Sequence, residues 1–108
     1  MSTWHRVGRI DDIPRQGSRV VKSGRHGDVA LFRSVDDHVF ALADRCPHRG
    51  GPLSAGMVHG HKVTCPLHGW TLGLENGEAL GADEGCAGRF AVRVEGEELF
   101  LELPDGHE

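Results

Sequence analysis

The chain has 108 residues and a net charge of −4, and its twelve lysines and arginines are scattered along its length. With no basic cluster to neutralise a run of phosphates, nucleic acid is excluded as a partner. The apolar runs are a few residues long, against the roughly 20 needed to cross a bilayer. The start, Met1-Ser2-Thr3-Trp4-His5-Arg6, lacks the apolar core of a secretion signal, so a cytoplasmic location with no membrane contact is expected.

In chain order, short β segments are predicted at Trp4–Gly8, Ser18–Lys22, Val29–Arg33 and Val39–Asp44, with Asp36-Asp37-His38 as the turn between the last two. Lys62–Thr64 and Trp70–Leu74 follow, and Asn76-Gly77 is a two-residue turn signal because both positions tolerate positive φ. Phe90, Val92 and Val94 alternate with Ala91, Arg93 and Glu95. After Gly96, Leu99, Leu101 and Leu103 alternate with Phe100 and Glu102, which predicts a C-terminal hairpin with one buried face. Asp83-Glu84-Gly85-Cys86 is at most a turn of helix. The expected architecture is all-β, a small antiparallel sandwich or barrel with long inserted loops, in one domain over residues 1–108.

Glycine contributes 16 residues, about twice the usual share of roughly 7%. A chain this free in the backbone gains from a metal centre that staples it. Three cysteines, Cys46, Cys65 and Cys86, cannot form a disulfide framework without one left over, so thiolate ligands or small buried side chains are the better reading.

Two stretches carry the chemistry: Cys46-Pro47-His48-Arg49-Gly50-Gly51-Pro52-Leu53 and Cys65-Pro66-Leu67-His68-Gly69-Trp70. The pattern is C-x-H, sixteen residues, then C-x-x-H. A [2Fe–2S] centre in which two histidines replace two cysteines on one iron needs that ligand set. Cys46 and Cys65 would hold the inner iron, and His48 and His68 the outer one. Pro47 and Pro66 stiffen the loops, and Gly50, Gly51 and Gly69 leave room for backbone N–H groups to approach the sulfides. Pro52-Leu53 would pack the first loop over the cluster, within a cluster-binding portion at about residues 44–72.

A structural zinc with the same donors is the alternative, but zinc modules pair C-x₂₋₄-C with H-x₃₋₅-H and do not interleave the two residue types. A Cys/His hydrolase would need an orienting group and an oxyanion site, which the sequence does not suggest; no catalytic residue is assigned. Cys86 is expected to be a spectator, Trp70 to fill the core, and His59 and His61 to be exposed turn residues. His5, His26, His38 and His107 sit in polar surroundings and are given no role.

The two loops resemble the Rieske [2Fe–2S] motif, which implies a Rieske-type fold with a two-loop subdomain holding one cluster. Beyond the motif, the chain is similar to the small subunit of the assimilatory NADH-dependent nitrite reductase. The likeness begins near Trp4, runs through Val39-Phe40-Ala41-Leu42 and the first loop, and ends with Gly77-Glu78-Ala79-Leu80-Gly81-Ala82-Asp83-Glu84-Gly85-Cys86 and Val92-Arg93-Val94. It implies a large partner subunit carrying siroheme, FAD and a [4Fe–4S] centre, where NADH is oxidised and nitrite reduced to ammonium. This chain would then be an electron-transfer component, not catalytic alone.

Quinol-oxidising Rieske proteins have a second cysteine pair, where this chain has Gly51 and Leu67. They also have a hydroxyl where it has Trp70. Those departures imply a potential toward the low end of the roughly −150 to +300 mV range. The rival resemblance is to a soluble Rieske ferredoxin serving an aromatic-ring dioxygenase. Those carriers resemble C-[ST]-H-G in the first loop, whereas this chain has Cys46-Pro47-His48-Arg49. A cluster-bearing redox sensor is a third reading, but nothing resembles a DNA-binding element.

Overall fold

The computed structural model describes residues 2–22, 28–45, 52–65, 69–75, 77–78 and 88–104. Ten strands follow one another: β1 (Ser2–Arg9), β2 (Gly17–Lys22), β3 (Asp28–Arg33), β4 (Val39–Ala43), β5 (Met57–His59), β6 (Lys62–Thr64), β7 (Thr71–Gly73), β8 (Arg89–Phe90), β9 (Val92–Glu95) and β10 (Glu98–Pro104). They form three antiparallel sheets, β1-β10-β9, β2-β3-β4-β8 and β5-β6-β7. Among the described residues the helical pieces are two single 3₁₀ turns, Ile10–Asp12 and Leu53–Ala55. The fold is all-β, as expected.

The sheet β2-β3-β4-β8 lies in the middle, and its central strands β3 and β4 send buried side chains to both faces. Side chains alternate across a strand with a period of two. In β3, Ala30 and Phe32 therefore enter one core while Val29 and Leu31 enter another, and all four are fully buried. In β4, Leu42 joins the first core and Ala41 the second. The uninterrupted run Val29-Ala30-Leu31-Phe32 is what a strand covered on both faces requires.

The first core packs the middle sheet against β5-β6-β7 and gathers Leu53, Val58, Val63, Cys65, Leu72 and Leu74. The second packs it against β1-β10-β9 through Ile13, Leu99 and Leu101. Each large apolar side chain so buried contributes roughly 1.5–3 kcal/mol before the entropy of ordering is counted. A cation also holds the layers in place. Arg33, 9% exposed, donates from Nη1 to the Ile13 carbonyl at 2.8 Å and the Ile10 carbonyl at 3.2 Å, while Nε and Nη2 bind Asp37. The first 3₁₀ turn is thereby bolted to the end of β3.

Two expectations change. The C-terminal segment is not one straight hairpin arm, because it splits at Ala91. Phe90 pairs with Ala41 in the middle sheet, whereas Val92 pairs with Leu101 in the outer one. The Ala91 carbonyl accepts the Glu102 N–H at the crossing, so the chain changes sheets without losing its bond. The turn after β7 is also longer than two residues. Gly73 and Glu78 are joined by an N–H···O bond of 2.9 Å, and the Gly77 N–H donates to the Gly73 carbonyl at 2.7 Å; Asn76 lies outside the described residues.

Candidate metal centre

Of the four expected cluster ligands, Cys65 lies among the described residues; Cys46, His48 and His68 lie outside them, as does Cys86. Cys65 follows β6 directly and is 1% exposed, at the edge of the first core. Its N–H donates to the Trp70 carbonyl at 2.6 Å, and its carbonyl accepts the Gly69 N–H at 3.1 Å. These two bonds close the base of the second loop between β6 and β7. Gly69 has φ +71, a left-handed conformation that costs a side-chain-bearing residue roughly 1–2 kcal/mol, so glycine follows His68 for a conformational reason.

The base of the first loop is closed by different chemistry. The Asp44 carboxylate accepts the Ser54 N–H at 2.7 Å and the Ser54 hydroxyl at 2.8 Å. The Ser54 carbonyl in turn accepts the Ser18 hydroxyl at 2.6 Å. Asp44, before the first ligand stretch, is therefore tied to Ser54, after it. Sequence reading missed this clamp, because its partners are ten residues apart across the loop they close. An Asp two residues before the first ligand and a Ser just after Pro52-Leu53 were the signals available.

Beside Cys65 opens a cleft of about 430 Å³, lined by Ala55, Gly56, Met57 and His59 on one side and by Thr64, Cys65 and Gly69 on the other. Gly56 is there because of close approach: a Cβ at that position would strike the Thr64 carbonyl oxygen and come within 3.1 Å of the Leu53 oxygen. The 3₁₀ turn is thus pressed directly onto the β6 backbone. A buried thiol beside a cleft that is also lined by Met57 and His59 fits a soft metal centre.

The neighbouring residues fall out differently from one another. Leu53 is fully buried in the first core, whereas Pro52 before it is exposed. Trp70 packs against the first core, as expected. His59 is no turn residue. It sits in β5 and its Nε2 lies 2.8 Å from the Thr64 hydroxyl, which is 3.1 Å from that of Thr71. His61 does occupy a turn but is half-buried, with Nε2 beside Asp36. The hydrogen bond to Asp36 raises the His61 pKa above its ordinary value. The Ser34 hydroxyl, then His38 and His61, hold the Asp36 carboxyl well below the usual carboxylate range.

Residues 3–98 match the Rieske [2Fe-2S] domain model, and the chain belongs to that family. The domain carries one [2Fe–2S] cluster, and the chain is an electron-transfer oxidoreductase component. It is 49% identical over 70 residues to the 4beta-methylsterol monooxygenase of Methylococcus capsulatus, a match covering 62% of this chain and 18% of that one. It covers 19% and 13% of two further oxygenase-system subunits. With the anthranilate 1,2-dioxygenase ferredoxin subunit of Burkholderia cepacia it shares 32% identity over 77 residues, 71% of this chain and 69% of the other.

Among solved structures, the complex of oxygenase and ferredoxin in carbazole 1,9a-dioxygenase contains a chain that superposes with a TM-score of 0.84 at 25% identity, covering 97% of both chains. A Mycobacterium tuberculosis protein assigned as the small subunit of an NADH-dependent nitrite reductase superposes with a TM-score of 0.85 at 22% identity, covering 98% of this chain and 99% of that one. At that identity the likeness speaks for the fold. No helix among the described residues is long and apolar enough to cross a membrane.

Proposed function

We propose that the chain is the electron-transfer small subunit of an NADH-dependent nitrite reductase, with its cluster held by Cys46, His48, Cys65 and His68. Residues 1–108 would form one domain with a cluster-binding portion at about 44–72. The observation that carries the reading is the near end-to-end sequence resemblance, through Cys46-Pro47-His48-Arg49-Gly50-Gly51-Pro52-Leu53 and Gly77-Glu78-Ala79-Leu80-Gly81-Ala82-Asp83-Glu84-Gly85-Cys86. The cluster supplies one-electron transfer when bound. The protein's part is to fix the loops: the Asp44–Ser54 clamp sets the mouth of the first, and the Cys65–Trp70 and Gly69–Cys65 bonds set the second. Leu53 and Trp70 keep water from the core beneath.

A second reading, a freestanding ferredoxin for an aromatic-ring dioxygenase, is supported by the 32% identity to the anthranilate dioxygenase ferredoxin subunit. The two differ in partner. An affinity pull-down of the tagged chain from cells grown on nitrite separates them by the partner's mass and absorption spectrum. A large co-purifying subunit with siroheme and flavin bands supports the nitrite reductase subunit. A [2Fe–2S] protein that emerges alone, or with an oxygenase, overturns it in favour of the ferredoxin.

A further inference from the structure

At the end of the β5-β6 hairpin opposite Cys65, two turns from different sheets meet. The turn between β3 and β4 brings Asp36 and His38, and the turn between β5 and β6 brings His61. His38 Nδ1 lies 3.1 Å from Asp36 Oδ2, and His61 Nε2 lies 3.1 Å from the same oxygen. The three donor atoms all fall within 4.8 Å of one another. The β5-β6 register pairs His59 with Lys62 at this end and Met57 with Thr64 at the other. The cluster of side chains is therefore at the far end of the hairpin from Cys65.

We propose that Asp36, His38 and His61 form a second metal site, one that takes a single borderline divalent cation such as Zn²⁺ and clasps the middle sheet to the cluster-binding sheet. Two imidazoles and a carboxylate are a donor set suited to zinc and its first-row neighbours. Around a tetrahedral ion with bonds of about 2.0–2.2 Å, donors stand about 3.4 Å apart. The two 3.1 Å separations are already close to that spacing.

The surroundings favour ligation over a simple hydrogen-bonded pair. The Ser34 hydroxyl donates to Asp36 Oδ1, while Oδ2 faces both rings; His61 Nε2 straddles the carboxylate, 3.1 Å from Oδ2 and 3.2 Å from Oδ1. His61 Nδ1 faces Glu75 Oε2 at 3.5 Å, the outer carboxylate that commonly fixes the tautomer of a metal-bound histidine and frees its other nitrogen for the ion. The rings are also held: His38 and His61 meet edge-on at 5.1 Å, and Phe40 lies 5.1 Å from His61. The His38 and Asp36 side chains are 63% and 51% exposed, so a cation reaches the site from solvent.

Zinc and a proton compete for His61 Nε2. The groups facing that ring are Asp36 and His38 on the β3-β4 turn and Glu75 after β7, so binding weakens as pH falls and His61 protonates between its two carboxylates.

The test is calorimetric titration of the untagged, cluster-loaded chain with Zn²⁺ at neutral pH, with the visible absorption of the cluster recorded throughout. The expected result is one equivalent bound, with affinity at least tenfold weaker in Asp36→Asn, His38→Gln and His61→Gln, unchanged in His5→Gln, and with the cluster spectrum constant. Zn²⁺ should raise the melting temperature of the wild type and not of His38→Gln, because an ion that binds the folded state alone stabilises it. His38 is exposed enough that its replacement leaves the fold intact. Wild-type affinity retained in His38→Gln, or no saturable equivalent in the wild type, overturns the site.

Discussion

Cys65 has two duties, and they make its replacement informative. It belongs to the first core at 1% exposure, and it offers a thiol to the cleft. Cys65→Ser keeps the size but is expected to abolish the iron content and visible absorption of the purified chain, since a hydroxyl is a poor ligand for a soft cluster iron. His59→Gln alters another cleft-lining side chain and should leave both intact; iron analysis and the visible spectrum of the two variants check this. At this scale the family motif was legible, because its spacing is local to two short stretches; of its four expected ligands, Cys65 is the one among the described residues. Asp44 with Ser54 was not legible, and neither was Asp36 with His61, twenty-five positions apart. Nothing in a linear pattern says which turn of one sheet abuts which turn of another.

The strands divide in the same way. Lys62–Thr64 was read with its observed bounds, and β3 was read as Val29–Arg33, one residue short at its start. Strand β5 was missed because Met57-Val58-His59 offers one buried residue between two exposed ones, between Gly56 and Gly60. That is too short for a period to register. The C-terminal hairpin was read from its alternation, and its inner face does carry the second core. Leu101→Ala at 0% exposure is expected to cost about 2–5 kcal/mol. Val94→Ala, at 41% exposure, should stay within about 0.5 kcal/mol. Denaturant midpoints of the two variants give the comparison. The outer face is differently held, with the Arg93 guanidinium 4.8 Å above the Trp4 ring and 5.6 Å from that of Phe100.

Across the whole molecule, the contact between the two turns should make stability depend on pH even without a metal ion. The His61 pKa is raised in the folded state, so the stability it contributes is full below about 6.5, the ordinary histidine value, and is lost as pH rises through the folded value. The Asp36 pKa is lowered, so its contribution is present above about 3.9 and is lost as pH falls. The contact is strongest where both hold, between about pH 4 and 6.5. In a chelating buffer, the melting temperature of the wild type minus that of His61→Gln should be largest in that window and shrink toward alkaline pH. A difference that is flat with pH would show that the contact is not ionic.

The two cores differ in where along the chain their residues come from. Every member of the first, from Ala30 to Leu74, lies in the central part of the sequence. The second waits for Leu99 and Leu101, and among the described residues β1 pairs with β10 alone, Ser2 against Pro104. Synthesis proceeds from the N-terminus, and pairing between distant segments is slow. The metal-binding half should therefore become compact while β1 is still without its neighbour. Pulse-labelled hydrogen exchange during refolding should find the β3, β4 and β6 amides protected before those of β1 and β10. That order would leave the first core compact and open to cluster insertion before the β1–β10 pair closes.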